Sequence, residues 1–176
     1  MNTPQAWSER SAVETPWEAA CWSYTGQKSR FEAVLRHLDL ADGDTLLDYG
    51  CGTGFFSEFL PPTIAYFAYD WAEGMRERVR STYERVWVFD EMPDMAFDHV
   101  VCIGTFNLSE NWSKEQTWDT LEWLWTLTRK SLIVCLYCGD DPVCLHYQPE
   151  EVLGFSTKFA IDHTYLPNDL LLEMRA

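Results

Sequence analysis

The sequence predicts an α/β protein, a three-layer αβα sandwich whose mostly parallel sheet ends in an antiparallel C-terminal edge hairpin. Three observations carry this prediction. Short apolar runs alternate with amphipathic segments through the first three quarters of the chain, the rhythm of βαβ units. The first of those runs leads straight into a glycine turn, Gly50-Cys51-Gly52-Thr53-Gly54. The last third holds two apolar runs with no helix between them, which is a hairpin pattern. With 176 residues the chain is most simply one domain, long enough to bury a real core.

Residues 1–26, with Pro4, Pro16, three Trp and Tyr24, read as irregular or loosely helical. They are expected to form a lid or cap over a ligand mouth or the sheet edge. From 27 to 40, Phe31, Val34, Leu35 and Leu38 recur at helical spacing, and Asp42-Gly43-Asp44 stops the helix. A strand at 45–49 enters the glycine turn, and a short helix at 55–60 ends at Pro61-Pro62. A strand at 64–69 ends at Asp70, a helix follows at 72–83, and a third strand at 86–89 ends at Asp90. Residues 91–96 are too few for a helical crossover, so an irregular link leads into a fourth strand at 97–104. Ser113-Lys114-Glu115-Gln116 fits a capping box and opens a helix to about 129. Its apolar face carries Trp118, Leu121, Leu124, Trp125 and Thr128. A strand at 132–137, a short helix at 149–153, and strands at 157–161 and 169–174 around Pro167-Asn168 complete the chain.

Composition narrows the function. Twenty-eight acids against 13 Lys and Arg give a net charge of -15, which opposes broad binding to a phosphate backbone. Arg76, Arg78 and Arg80 are spread around one helix and read as a solvated face. Aromatic content is 15%, with nine Trp, enough to fill a core or to wall a pocket. The N-terminus lacks the apolar centre of a secretory signal, and apolar runs such as 131–138 are too short to span a membrane. Six cysteines in such a chain are expected to be free thiols in the cytoplasm. Cys135 and Cys138, with Cys144 and His146 beyond, have a spacing that invites zinc. Residues three apart on a strand face opposite sides, however, so no metal site is expected.

The glycine turn decides between nucleotide folds. A dinucleotide fingerprint needs G-x-G-x-x-G/A, but here the third glycine falls one place early and Phe55 holds the position that should be small. No Gly-Lys-Ser/Thr follows, so a phosphate loop is absent too. An NAD-dependent enzyme is accordingly the weaker alternative.

Asp48-Tyr49-Gly50-Cys51-Gly52-Thr53-Gly54 resembles the corresponding turn of the class I S-adenosylmethionine-dependent methyltransferases, and the likeness extends along nearly the whole chain. The resemblance implies a Rossmann-like fold and S-adenosylmethionine as cofactor. It implies that Asp48, Gly50, Cys51, Gly52 and Gly54 wrap the methionine and ribose, Asp70 binds the ribose hydroxyls, and Trp71 flanks the adenine. Asp90 takes the adenine amino group, unless it is a helix cap or loop charge. Ile103 and Gly104 lie near the methionine amino group, with Phe106 and Asn107 toward the acceptor. Asp98, at the far end of its strand, is assigned structural hydrogen bonds. Gly26-Gln27-Lys28-Ser29-Arg30-Phe31, Gly104-Thr105-Phe106-Asn107 and the segment from His163 to Asp169 are similar to small bacterial and phage members of the family. That narrower likeness suggests that Gln27 and Arg30 reach the cofactor, Arg30 pairing with its carboxylate; a solvated helix face is the other reading.

Methyl transfer is an in-line displacement that depends mainly on holding the acceptor close and aligned. A conspicuous catalytic group is therefore not required. Where the acceptor must lose a proton, His146, His163, Tyr24 and Tyr165 are the candidate bases. The Asp/Asn-Pro-Pro-aromatic motif of amino-methylating nucleic-acid enzymes is absent after the fourth strand, as is the Pro-Cys nucleophile of pyrimidine C5 enzymes. The expected acceptor is a small molecule or a protein side chain. The alternative from a different class is a cofactor-binding sensor or regulatory protein that transfers nothing.

Overall fold

The computed structural model describes residues 3–152 and 159–176. Among these residues seven strands form one sheet: β1 (Thr45–Tyr49), β2 (Ala65–Tyr69), β3 (Trp87–Val88), β4 (Phe97–Ile103), β5 (Thr128–Tyr137), β6 (Phe159–Asp162) and β7 (Asp169–Arg175). Their order is β3-β2-β1-β4-β5-β7-β6. The first five pair in parallel, and β7 lies antiparallel between β5 and β6. This is the predicted mixed sheet with its edge hairpin.

Alternation along the central strands builds the layers. Leu46, Val101, Ile103, Ile133 and Cys135 point to one face, where α3 (Tyr24–His37) packs Phe31 and Val34, with Leu38 just past its end, and α4 (Glu73–Thr82) packs Val79. Leu47, Val100, Cys102, Leu132 and Val134 point to the other, against Leu121 and Leu124 of α5 (Lys114–Thr126). A strand buried on both faces reads as a continuous apolar run, which is why these strands were visible in sequence. Ser113 caps α5 through the complete capping box with Gln116.

Several boundaries differ from expectation. Ser23 accepts from Gly26 N at 3.0 Å and starts α3 nearly a turn early. The segment after the glycine turn is a 3-10 helix, Phe55–Phe59. β3 shrinks to two residues, and β5 begins four residues early, at Thr128. The polar stretch Thr128-Arg129-Lys130-Ser131 looks like a helix end, but long-range partners hold it in the sheet. Lys130 Nζ lies 2.6 Å from Asp44 Oδ1, and Ser131 Oγ lies 2.8 Å from His99 Nδ1. His99 Nε2 is in turn 3.1 Å from Asp44 Oδ2, a chain with the connectivity of a nucleophilic triad. Ser131 is only 3% exposed, at the end of the strands opposite the glycine turn, so the chain is a structural tie. Asp98 is structural as expected, accepting from Thr45 N at 2.9 Å and Thr45 Oγ1 at 2.8 Å. A short helix α6 (Pro149–Val152) precedes β6; position 153 of the predicted helix and 157–158 of the predicted strand lie outside the described residues.

The N-terminal segment carries two short helices, α1 (Pro4–Arg10) and α2 (Pro16–Ala19), each with proline in its first turn. α1 lies against α4: Ser8 Oγ accepts from Gly74 N at 3.0 Å, and Arg78 donates to the carbonyls of Ser11, Val13 and Glu14. Arg76 reaches the Asp70 carbonyl and Arg80 the Asp90 carboxylate. The three arginines expected on a solvated face are thus all engaged, because each guanidinium finds a backbone or carboxylate acceptor near it. Among the described residues no helix is long and apolar enough to cross a membrane.

Candidate functional site

A cavity of about 400 Å³ opens at the carboxyl ends of β1, β2, β4 and β5, the edge where open α/β sheets bind ligands. The glycine turn forms its floor. Gly50 N and Cys51 N both donate to Tyr69 O, at 2.8 and 3.0 Å, which fastens the turn to the end of β2. Asp70 completes that link: its Oδ2 accepts from Gly52 N and its Oδ1 from Ala72 N, each at 2.9 Å. Burial raises the Asp70 pKa against the pull of these two hydrogen bonds. Each carboxylate oxygen keeps a lone pair for a second donor.

Two buried acceptors on the cavity wall lack a partner among the described residues. They are Gln27 Oε1 and Asp48 Oδ1. The other Asp48 oxygen accepts from Tyr66 Oη. Burial pushes the Asp48 carboxyl up to about 7, with the Tyr66 hydrogen bond opposing the rise and the Asp70 charge adding to it. The folded state therefore holds a proton that the unfolded chain loses above the ordinary value of 3.8. Stability from this group is fully present below that value and falls as pH rises to about 7. Asp48→Asn, which still accepts from Tyr66, is expected to match the parent Tm near pH 4 and exceed it at pH 8. The rise from 3.8 to about 7 corresponds to ~4 kcal/mol at pH 8, so the gain is expected to reach up to roughly 8–16 °C, less what the unpartnered Asn amide costs, checked by thermal melts across pH.

The structure brings together most of the residues singled out in sequence. Gln27, Arg30, Asp48, Gly50, Cys51, Gly52, Asp70, Trp71, Ile103 and Gly104 all line the cavity. Others stand elsewhere. Gly54 backs onto α4, where an added Cβ would sit 2.9 Å from Val79 Cγ2, so its role is packing. The Asp90 side chain is 72% exposed and is held by Arg80 at 2.7 Å and Arg76 at 3.4 Å, outside the cavity. Arg30 is on the wall, but its guanidinium makes a two-pronged pair with buried Asp169 rather than standing free for a carboxylate. Phe106 is fully buried in the core against Tyr49 and Trp112, and only Asn107 of that pair reaches the cavity.

None of the four candidate bases lines it. Tyr24 lies edge-on to Trp17 and is 47% exposed. His146 Nδ1 is hydrogen-bonded to Gly139 O, and His163 is exposed. Tyr165 packs into the core beside Cys135. Cys135 and Cys138 join opposite faces of the sheet, as the strand spacing required.

Sequence reasoning missed Trp22, Tyr137 and Asp141 as wall residues. Trp22 is aimed by a Schellman turn at the end of α2, in which Cys21 takes a φ of 59° and Trp22 N donates to Trp17 O at 2.7 Å. Its ring then lies 4.4 Å from the Arg30 guanidinium and packs on Gly104. The density of aromatics in residues 1–26 was the available signal.

Residues 47–116 match the family model described as a methyltransferase domain. No curated protein matches the sequence. Among solved structures, the N-methyltransferase NodS of Bradyrhizobium japonicum WM9, in complex with S-adenosylhomocysteine, aligns over 99% of this chain and 98% of its own, at 13% identity and a TM-score of 0.75. Magnesium protoporphyrin IX methyltransferase of Synechocystis PCC 6803, with bound S-adenosylmethionine, aligns over 99% and 91%, at 14% identity and a TM-score of 0.71. A TehB-like methyltransferase of Corynebacterium glutamicum aligns over 99% and 100%, at 12% identity and a TM-score of 0.68. The chain thus has the fold of the class I methyltransferases throughout, and over residues 47–116 it carries the sequence of a methyltransferase domain.

Proposed function

We propose that this chain transfers a methyl group from S-adenosylmethionine, held in the cavity at the glycine turn, to a small molecule or protein side chain. The observation that carries the reading is Asp70, pinned between the turn and the start of α4 and facing the cavity. The cavity suits the cofactor chemically. Gln27 Oε1 is a partnerless acceptor, and Asp48 Oδ1 becomes one when its carboxyl ionises; an ammonium group and ribose hydroxyls provide the donors both call for. An added Cβ on Gly52 would meet nothing within 4 Å among the described residues, so the turn leaves room for a ligand against backbone. Asp48 and Asp70 are acids beside a site for a cationic cofactor.

The cofactor supplies, when bound, an activated methyl group on a sulfonium. The chain's own part is binding, alignment and exclusion of water. Asp70 and Gln27 fix the donor, Trp71 flanks the base, and Trp7, Cys21 and Trp22 cover the mouth as a lid. Asn107 and Tyr137 lie at the acceptor end. All six cysteines are free thiols, which supports a cytoplasmic setting. The NAD-dependent alternative gives way to the methyltransferase-domain match.

Calorimetry of the pure protein should show binding of S-adenosylmethionine and S-adenosylhomocysteine; absence of both sinks the proposal. The second reading is a cofactor-binding sensor, favoured by the distance of all four candidate bases from the cavity wall. Transfer of a radiolabelled methyl group to any fraction of cell extract excludes it.

A further inference from the structure

Besides the glycine turn, the same cavity is lined by Trp22, Trp112, Asn107, Tyr137 and Asp141. Asn107 is its best-defined polar group. The residue is 8% exposed, and its side-chain Oδ1 accepts from Tyr137 N at 3.0 Å. That bond settles which way the amide faces, since only the oxygen can accept from a backbone N–H. Nδ2 is left as a donor, and no described residue accepts from it. The backbone around it is fixed as well. Leu145 N donates to Asn107 O at 2.7 Å and Ser109 N to Val143 O at 3.1 Å, stitching the loop after β4 to the loop after β5.

Charge on this part of the wall is one-sided. Arg30 is neutralised by Asp169 and covered by Trp22, so it offers no free cation. Asp141 adds a negative charge at the wall, its position set by Val143 N donating to Oδ1 at 3.1 Å and by its own N–H on Tyr137 Oη at 3.2 Å. An anionic acceptor would be desolvated there with no counter-charge from the described side chains, leaving the cofactor's sulfonium as its one cationic partner, whereas a neutral acceptor carries no such cost. Trp22, Trp112 and Tyr137 present flat apolar surface, which suits a ring. The whole cavity is about 400 Å³ and is shared with the cofactor, so the part of the acceptor that enters it is small.

We propose that the methyl acceptor is a small, flat, uncharged molecule bearing an oxygen acceptor that Asn107 Nδ2 hydrogen-bonds. The assignment rests on the methyltransferase reading and narrows its substrate class. Asn107 acts as a specificity-determining residue: a donor fixed on the cavity wall disfavours molecules that leave it unpaired.

The test uses the full chain saturated with S-adenosylhomocysteine, titrated calorimetrically with benzamide and with its anionic near-isostere benzoate. Benzamide is expected to bind at least about tenfold more tightly than benzoate. Asn107→Asp keeps the acceptor for Tyr137 N but replaces the donor with an oxygen, so it should weaken benzamide by about tenfold or more. A parent-like cooperative melt reports that the variant is folded, and S-adenosylhomocysteine should still bind it. Benzoate binding as tightly as benzamide, an unchanged benzamide affinity in Asn107→Asp, or binding of neither probe overturns the assignment while leaving the methyltransferase reading intact. Failure of S-adenosylhomocysteine itself to bind overturns both.

Discussion

Asp70→Ala is expected to weaken S-adenosylhomocysteine binding by about a hundredfold or more, since hydrogen bonds to a charged group contribute roughly 1.5–3 kcal/mol each. The carboxylate holds Gly52 N and Ala72 N on the protein side while keeping lone pairs toward the cavity. Removing it frees the turn from Asp70 and, in the proposed binding mode, deletes the acceptors for two ribose hydroxyls. Both backbone N–H groups lose their partners, so Tm should fall as well, by an amount in keeping with about 1–3 kcal/mol per buried donor left unpaired. Asp70→Asn separates the two effects. It retains one acceptor for one backbone N–H but turns a donor toward the other. Its Tm should lie between parent and Asp70→Ala, while its affinity falls nearly as far as in Asp70→Ala. Calorimetric titration with melts on the same samples makes the comparison. Parent-like affinity in Asp70→Ala would remove Asp70 from the binding site.

What the sequence revealed, and what it hid, follows the range of the interactions involved. Val100-Val101-Cys102-Ile103 is apolar on both faces, so it announces a central strand without knowledge of its neighbours. Ser113 and Gln116 satisfy each other three residues apart, and the start of α5 was legible for that reason. The turn and Asp70 are likewise local, lying eighteen residues apart in sequence. Arg30 shows the opposite case. Its helix position was right, but Asp169, 139 residues away, claims its guanidinium. Asp90 was placed by its position at a strand end, yet the arginines of α4 hold it outside. The start of β5 was hidden because Lys130 and Ser131 are polar for the sake of Asp44 and His99. Partner choice across the fold is the information that periodicity and spacing do not carry.

Gly50 and Gly52 share one turn and a left-handed backbone, with φ of 78° and 54°, yet their alanine variants are expected to fail in different ways. An added Cβ on Gly50 would overlap the Thr105 side chain at separations that real Cβ atoms essentially never show. Thr105 has little freedom to retreat, because its hydroxyl donates to Tyr49 O at 2.7 Å. Gly50→Ala combines that overpacking with a left-handed penalty of about 1–2 kcal/mol, for a total of roughly 3 kcal/mol or more. At about 2–4 °C per kcal/mol, Tm should drop by roughly 6–12 °C. Gly52→Ala carries the backbone penalty alone, since its Cβ meets nothing within 4 Å among the described residues. Its Tm should fall by no more than roughly 8 °C. The new methyl stands on the turn where the cavity is lined by Gly52, and Gly52 N is the donor that orients Asp70. Cofactor affinity should therefore drop by about tenfold or more, out of proportion to the loss of stability. Melts and S-adenosylhomocysteine titrations of both variants decide the matter. If the two lose stability and affinity in parallel, the space above Gly52 is not where the ligand lies, because only a ligand in that space makes the smaller structural insult the larger functional one.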